Sequence, residues 1–141
     1  MEADQIIERL GLTPHPEGGY YRETWVAPSA GERASGTSIL FLLKEGEASH
    51  WHRIDATEIW HFHAGAPLIL ETAASAIGPA VPLTLGPDVL AGHAPQGIVP
   101  PMFWQAARTT GKWTLVGCTV SPGFRFEGFE LAPAGLKIPG G

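Results

Sequence analysis

Cysteine is nearly absent from this sequence, and its single copy, Cys118, excludes an intramolecular disulfide. A chain of 141 residues does not need one, because a domain of this size buries about two-thirds of the surface that its unfolded chain exposes. Cys118 lies within an apolar run at 115–120 that predicts a buried strand, where cysteine acts as a small core residue. A single thiol also agrees with a reducing compartment.

Positive charge and long apolar runs are scarce as well. Lys and Arg number 9 against 14 Asp and Glu, and they form no cluster, which argues against a nucleic-acid surface. The longest strongly apolar run, 39–43, is far shorter than the roughly 20 residues that cross a bilayer. The first residues are acidic rather than basic, so no secretory signal is expected. We therefore expect a cytoplasmic protein with no nucleic-acid or membrane partner.

Glycine and proline, by contrast, are abundant, with 18 and 13 copies spread along the chain. This spacing suits many short strands joined by turns. One helix is expected near the N-terminus, because Ile6, Ile7 and Leu10 share a helical face and Gly11 can cap it. Strand-like runs then follow at 20–26, 37–43, 49–53, 58–63, 67–73, 81–85, 97–99, 103–108, 112–120 and 129–131.

These elements predict a single all-β domain. About ten short strands in a small chain favour a sandwich or a barrel, and a jelly roll stacks two sheets around one core. The sequence therefore predicts a jelly-roll barrel, or double-stranded β-helix, with a short N-terminal helix. We place the domain at residues 1–135 and expect a disordered tail at 136–141, which holds Pro139 and two glycines.

Two histidines one residue apart form the most informative motif. His50 and His52 fall on a predicted strand, where alternation places both imidazoles on one face. Facing a barrel interior, they would supply half of a metal site, and Glu58 on the next strand would add a carboxylate. If Glu58 points inward, alternation also turns Trp60 and Phe62 inward, where they would form the wall of a ligand cavity.

Alternatives remain open for these positions. The pair His61 and His63 would face inward only if Glu58 faced outward, and we favour the earlier set. His52 can instead be a polar barrel residue that binds an organic ligand or transfers a proton. Glu58 can instead pair with Arg53 across the turn.

Residues 16–23 are expected to be structural, because the two glycines there permit backbone conformations closed to other residues. Within this run, Arg22 and Glu23 fall on opposite faces of the strand, so at most one of them could line a pocket with Tyr20 or Tyr21. We take Arg22 and Tyr21 as the ligand-binding candidates, because a guanidinium grips a carboxylate or phosphate at two points. His15, in a turn rich in proline and glycine, is expected to be solvated.

The order His50-x-His52, Glu58, Gly65 resembles the first motif of the cupin superfamily, with one extra residue before the glutamate. The resemblance strengthens the interpretation of this segment as a site inside a barrel. It implies that His50, His52 and Glu58 would bind a divalent ion, namely Mn, Fe, Ni or Zn.

The second cupin motif is a proline, a glycine two residues later and a histidine three residues after that. It aligns with Pro100, Met102 and Gln105, so a glutamine stands where the family has its metal-binding histidine. Gln105 is the fourth candidate metal ligand. It shares a face of its predicted strand with Phe103, and both are candidates for the cavity wall.

A closer resemblance covers the chain from about Leu10 to Leu131. It is similar to a subfamily of small single-domain cupins, catalogued as a domain of unknown function, in the segments 16–24, 41–43, 52–53, 58–65, 104–107 and 116–124. This resemblance implies a jelly roll like that of the dTDP-sugar 3,5-epimerases, commonly as a homodimer. In this subfamily the position of His50 is often not histidine.

Three functional hypotheses follow, all with a small polar or anionic molecule bound inside the barrel. The first is a divalent-metal enzyme that isomerises, decarboxylates or oxygenates a sugar or organic acid. The second is a metal-free, epimerase-like isomerase in which His52 is the base, Glu58 or Asp55 positions it, and a tyrosine is the acid. The third is a binding protein without catalysis.

Overall fold

A computed structural model describes residues 2–29, 31 and 33–140 of the chain. Within these ranges one α-helix precedes eleven strands. They are α1 (Glu2–Leu10), β1 (Thr13–Pro14), β2 (Tyr20–Val26), β3 (Thr37–Lys44), β4 (Ala48–Ile54), β5 (Thr57–Gly65), β6 (Leu68–Ala73), β7 (Val81–Leu85), β8 (Gln96–Val99), β9 (Trp104–Thr109), β10 (Trp113–Ser121) and β11 (Phe129–Leu131). The all-β architecture with a short N-terminal helix is confirmed.

The strands form two antiparallel sheets, in the orders β1-β2-β3-β10-β5-β8 and β11-β4-β9-β6-β7. β4 and β5 are joined by a tight turn yet lie in different sheets. This crossing from one sheet to the other is typical of a jelly roll. It places His52 and Glu58, which are close in sequence, on facing walls of the barrel.

The helix α1 covers the outer face of the six-stranded sheet. Its apolar residues pack with Leu12 against Leu42. Gly11 ends the helix in the left-handed region, at φ 69°. Leu12 N–H then donates to the Ile7 carbonyl at 2.9 Å, and Gly11 N–H donates to the Glu8 carbonyl at 3.2 Å. These two hydrogen bonds form a Schellman cap, whose left-handed residue is glycine because glycine adopts that conformation at little cost.

The barrel interior divides into two halves along the strands. On β3, Phe41 and Leu43 belong to the main hydrophobic core, whereas Thr37 and Ile39, four and two residues before Phe41, line an open cavity. On β10, Val116 lies in the core and Cys118 reaches the cavity. The half that core side chains fill, called the closed half below, stabilises the fold. The other, open half contains the cavity and leaves room for a ligand.

The C-terminal segment differs from the expectation of a disordered tail. Ile138 is only 7% exposed and packs with Ala73, Ala80 and Trp104. Ala80 N–H donates to the Pro139 carbonyl at 2.7 Å. Burial of this one apolar side chain holds a segment whose glycine and proline content suggested disorder. Gly141, the last residue of that predicted tail, lies outside the described residues.

No helix in the described ranges is long and apolar enough to cross a membrane.

Candidate functional site

A β-bulge in β4 determines which histidine enters the barrel. From Ser49 to His52, β4 advances three residues while its partner β9 advances two, from Ala107 to Gln105. The extra residue shifts the alternation of the strand. Ser49 and His52 both point inward and are buried, whereas the side chain of His50 is exposed on the outside. The prediction that His50 and His52 share one face is therefore wrong.

The backbone of His50 nevertheless contributes to the interior. Its N–H donates to the Glu17 carbonyl at 2.7 Å. Its carbonyl lies 2.8 Å from Nδ1 of His52. The backbone N–H and carbonyl of His50 are thus both hydrogen-bonded, one to Glu17 and the other to His52, as buried backbone groups require.

The imidazole of His52 is 2% exposed, and its two nitrogens have different environments. A carbonyl oxygen only accepts hydrogen bonds, so Nδ1 carries the hydrogen and donates to His50. Nε2 is then free to accept, and it lies 3.5 Å from Oε2 of Glu17. Burial lowers the pKa of His52, although the nearby Glu58 opposes this effect. The ring is therefore neutral near pH 7, with its basic nitrogen facing the cavity.

Glu17 and His15 reach the interior because the turn that follows them packs tightly against the barrel. Gly18 and Gly19 have φ values of 105° and 78°. A Cβ on Gly18 would collide with the Ala48 carbonyl oxygen, and a Cβ on Gly19 would lie 2.9 Å from the Leu42 carbonyl oxygen. Only glycine permits so close an approach in this conformation.

The sequence interpretation of this turn was incomplete. It treated residues 16–23 as structural and His15 as solvated, yet both His15 and Glu17 are buried. The pair of glycines was the available signal, since adjacent glycines often mark a close backbone approach. That signal does not reveal which neighbouring side chain the approach carries inside.

Glu17 and His15 meet as neutral groups. Burial raises the pKa of Glu17 to about 8, against a weaker opposing effect of the hydrogen bond that Ser49 Oγ donates to Oε2. Burial, with a smaller contribution from His52, lowers the pKa of His15 to about 4. The 3.4 Å approach of His15 Nδ1 to Glu17 Oε1 is therefore not an ion pair at neutral pH.

A hydrogen-bonded chain links the two walls, since Gln105 lies on β9 beside His52, whereas Trp60 and Glu58 lie on β5. Trp60 Nε1 donates to Gln105 Oε1 at 2.7 Å, and Gln105 Nε2 donates to Glu58 Oε1 at 2.9 Å. Because the indole can only donate, the amide of Gln105 has one orientation. Burial, followed by the charge of Glu17, raises the pKa of Glu58 to about 7. Glu58 does not pair with Arg53, which binds Glu130 on the outside.

These groups surround a cavity of about 150 Å³ in the open half of the barrel. Its titratable lining comprises His15, Glu17, Tyr21, Glu23, His52 and Glu58, together with the buried thiol of Cys118. A wider groove of about 440 Å³ lies outside, against β4 and residues 131–136, and contains the ring of His50. The interior cavity is the candidate site, because buried polar groups converge there and do not in the groove.

The predicted ligand-binding residues divide between the two faces of the sheets. Tyr21 lines the cavity. Arg22, its neighbour on β2, is exposed and points the other way, toward Gly11 at the end of α1. Arg22 is therefore not part of the site, and alternation along the strand explains why.

Three aromatic residues predicted for the cavity wall lie in the closed half. Trp60 is buried in the main core and reaches the site only through Gln105. Phe62 and Phe103 pack against that core and do not line the cavity. His61, the alternative interior residue, faces outward and contacts Thr119 Oγ1 at 3.0 Å.

The predicted metal site does not fit this arrangement. His50 points away from the barrel interior. Gln105 is held by its neighbours instead, since its oxygen accepts from Trp60 and its amide nitrogen donates to Glu58. In the part of the chain that the structure describes, no three His, Cys, Asp or Glu side chains are arranged to hold a metal ion. We therefore derive no chemical step through a metal bound by His50, His52, Glu58 and Gln105.

Comparison with known proteins identifies the family to which this chain belongs. The family model described as Cupin superfamily (DUF985) matches residues 4–132. A solved protein from Shewanella oneidensis is 42% identical, with a TM-score of 0.86 over 92% of this chain and 84% of that one. A hypothetical protein from Leishmania major is 31% identical, with a TM-score of 0.85 over 95% and 89%.

More distant structures share the fold alone. Oxalate decarboxylase from Bacillus subtilis is 13% identical, with a TM-score of 0.64 over 84% of this chain and 29% of that one. A search of curated protein sequences finds no match.

Proposed function

Since the chain belongs to the DUF985 family of the cupin superfamily, we propose that it binds a small polar molecule in the barrel cavity and transfers a proton on that molecule without a metal. The reaction would be an isomerisation or epimerisation. One observation carries the proposal: His52 is buried, its Nδ1 is held by the His50 carbonyl, and its Nε2 faces the cavity 3.5 Å from a carboxyl group of Glu17. A base beside an acid is the arrangement that proton transfer requires.

The proposed step moves two protons. His52 Nε2 removes a proton from a carbon next to a carbonyl, and the Glu17 carboxyl gives its proton to the carbonyl oxygen, so that a neutral enol forms. When the substrate is an α-hydroxy carbonyl compound this enol is an enediol, so the imidazolium can return its proton to the former carbonyl carbon while Glu17 takes the proton of the other hydroxyl group. The carbonyl moves by one carbon, and neither residue changes overall. A general acid works best when its pKa lies near the working pH, and burial raises the pKa of Glu17 to about 8.

The residues around this pair would maintain its geometry. Ser49 donates to Glu17, which fixes the carboxyl toward His52. Gln105 and Trp60 hold Glu58 on the opposite wall. The negative charge of Glu58 would stabilise the imidazolium that His52 becomes during the step. The tyrosine acid suggested by the sequence would be Tyr21, but Glu17 is preferred because of its proximity to the base.

Solvent exchange tests this proposal without knowledge of the natural substrate. Small hydroxyketones and aldehydes of about six non-hydrogen atoms, the size that a cavity of this volume accepts, are incubated with the protein in D2O. Proton NMR then measures deuterium incorporation next to the carbonyl. We expect exchange above the buffer rate, unchanged after treatment with a chelator.

Two results would contradict the proposal. Exchange that disappears on chelation and returns with a divalent ion would show metal-dependent chemistry. A ligand that raises the melting temperature but is never exchanged or isomerised would show a binding protein without catalysis.

A further inference from the structure

The charged groups that line the cavity are all acidic. Glu17, Glu23 and Glu58 contribute carboxyl groups, and no lysine or arginine is among its described lining residues. Arg33 and Arg125 lie at an adjacent groove, where both are paired with Asp55, at 2.6 and 3.1 Å. An anionic ligand would therefore enter the cavity without a positively charged partner.

The histidines do not supply that partner. Burial lowers the pKa of His15 to about 4 and also lowers the pKa of His52. His52 gives its only ring hydrogen to the His50 carbonyl, so Nε2 is an acceptor that is nearly completely buried and faces the cavity. An acceptor in this position calls for a ligand that brings N–H or O–H donors.

Aromatic rings complete the wall. Tyr21, Phe124 and Phe126 line the cavity, and Phe124 packs edge to face against Phe126 at 5.0 Å. The faces of such rings attract cations, and the attraction grows when water is excluded. Carboxyl groups on one side and aromatic rings on another are the combination that binds organic cations.

From this arrangement we propose that the ligand of the cavity is a small organic cation, a protonated amine or an amidinium, rather than an anion. A cavity of about 150 Å³ matches a molecule of about six non-hydrogen atoms, since an engineered cavity of that volume holds benzene. The inference rests on the proposed function in taking this cavity as the ligand site. It narrows the substrate to one that carries positive nitrogen near the reacting carbon.

Binding a cation should release protons. Burial raises the pKa of Glu17 to about 8 and of Glu58 to about 7, so near neutral pH at least one of these carboxyl groups is protonated. A buried cation needs an ionised partner, so its arrival favours the carboxylate of Glu58, the more acidic of the two, and expels a proton from it, while Glu17 keeps the proton that it gives to the substrate. The other titratable groups of the lining are Tyr21, Glu23, His15, His52 and Cys118. Burial keeps the two histidines and the thiol neutral, because it lowers the pKa of His15 and His52 and raises that of Cys118.

Three probes of one shape and size test the inference. Acetamidinium, acetamide and acetate are planar molecules of equal size that carry positive, zero and negative charge. Titration calorimetry near pH 6.5, where Glu58 is mostly protonated, measures affinity and proton release in two buffers of different ionisation enthalpy. We expect acetamidinium to bind at least about tenfold more tightly than either of the others, with proton release.

Variants localise the effect. Glu58→Gln is expected to reduce the preference for acetamidinium and the proton release, whereas Glu17→Gln, which replaces a protonated carboxyl group with a neutral amide, should leave the proton release unchanged. Glu45→Gln, at an exposed turn outside the cavity lining, is the matched control and should leave both unchanged. Thermal melting of each variant verifies that it is folded.

The inference is overturned if acetate or acetamide binds as tightly as acetamidinium, if none of the three binds, or if Glu45→Gln lowers the preference as much as Glu58→Gln does. Its failure differs from failure of the proposed function. Preference for the cation without any proton exchange on amine-bearing ketones would leave the inference standing and remove catalysis. Exchange on neutral or anionic ketones alone would support catalysis and overturn the inference that the ligand is a cation.

Discussion

Replacing His52 with asparagine is expected to reduce catalysed proton exchange by roughly 10²–10⁴-fold, the usual contribution of a positioned general base. The asparagine amide can occupy the place of Nδ1 and still donate to the His50 carbonyl, but it has no counterpart of Nε2. The variant therefore removes the atom that faces Glu17 while it retains the hydrogen bond that orients the side chain.

His50→Asn is the matched control. It makes the same chemical change two residues away, on a side chain that points out of the barrel. The backbone groups of residue 50, which bind Glu17 and His52, remain in place. We expect exchange near the wild-type rate, measured by the same deuterium assay. Equal losses in the two variants would show that the outer histidine contributes to catalysis and would contradict the assignment.

Replacing Glu17 with glutamine is expected to remove most of the loss of stability that the protein shows as pH rises from about 6.5 to about 8. The pKa of the buried carboxyl is about 8, against 4.5 as its ordinary value. Between these values the folded protein holds a proton that the unfolded chain has released. Each pH unit in that interval costs about 1.4 kcal/mol of stability, so the wild type loses about 2 kcal/mol across the chosen window.

The window is chosen so that Glu17 contributes most of the slope. His15 has a pKa of about 4 in the fold, so its own effect, a gain of stability with rising pH, ends near pH 6.5. Glu58, with a pKa of about 7, contributes only to the lower part of the window. Urea unfolding at several pH values, with Glu45→Gln as the exposed control, measures the slopes. A Glu17→Gln slope equal to that of the wild type would contradict the burial argument.

Much of the fold was predictable because its signals are local. The face shared by Ile6, Ile7 and Leu10 predicted α1, and Gly11 marked its end. Each predicted strand is present in the structure with ends that differ by at most two residues, since turn residues separate the apolar runs. Matching elements in this order were enough to predict the jelly roll.

The inner surface was harder to predict, because it depends on strand register. Alternation from Glu58 to Trp60 is regular, and both side chains point inward. On β4 a single extra residue separates His50 from His52. A bulge is set by pairing with another strand, and the sequence of β4 alone does not record it. The same spacing that suggested two metal ligands therefore yields one interior histidine.

The interior network was hidden for a similar reason. Gln105 was aligned with a metal-binding position, but its amide oxygen accepts from Trp60, which is 45 residues away in the chain. Glu17 reaches His52 from a turn that precedes β2. Contacts between residues so far apart follow from tertiary packing, and composition and periodicity carry no information about them.

The central claim is that His52 presents an unprotonated Nε2 to the cavity. Long-range ¹⁵N–¹H NMR of protein labelled with ¹⁵N-histidine measures this directly, with His52→Asn to assign the signal. We expect the hydrogen on Nδ1 and a ring that remains mostly neutral at about pH 6.5, the ordinary histidine pKa, because burial lowers the pKa of His52. A hydrogen on Nε2, or a ring half-protonated at that pH, would contradict the account.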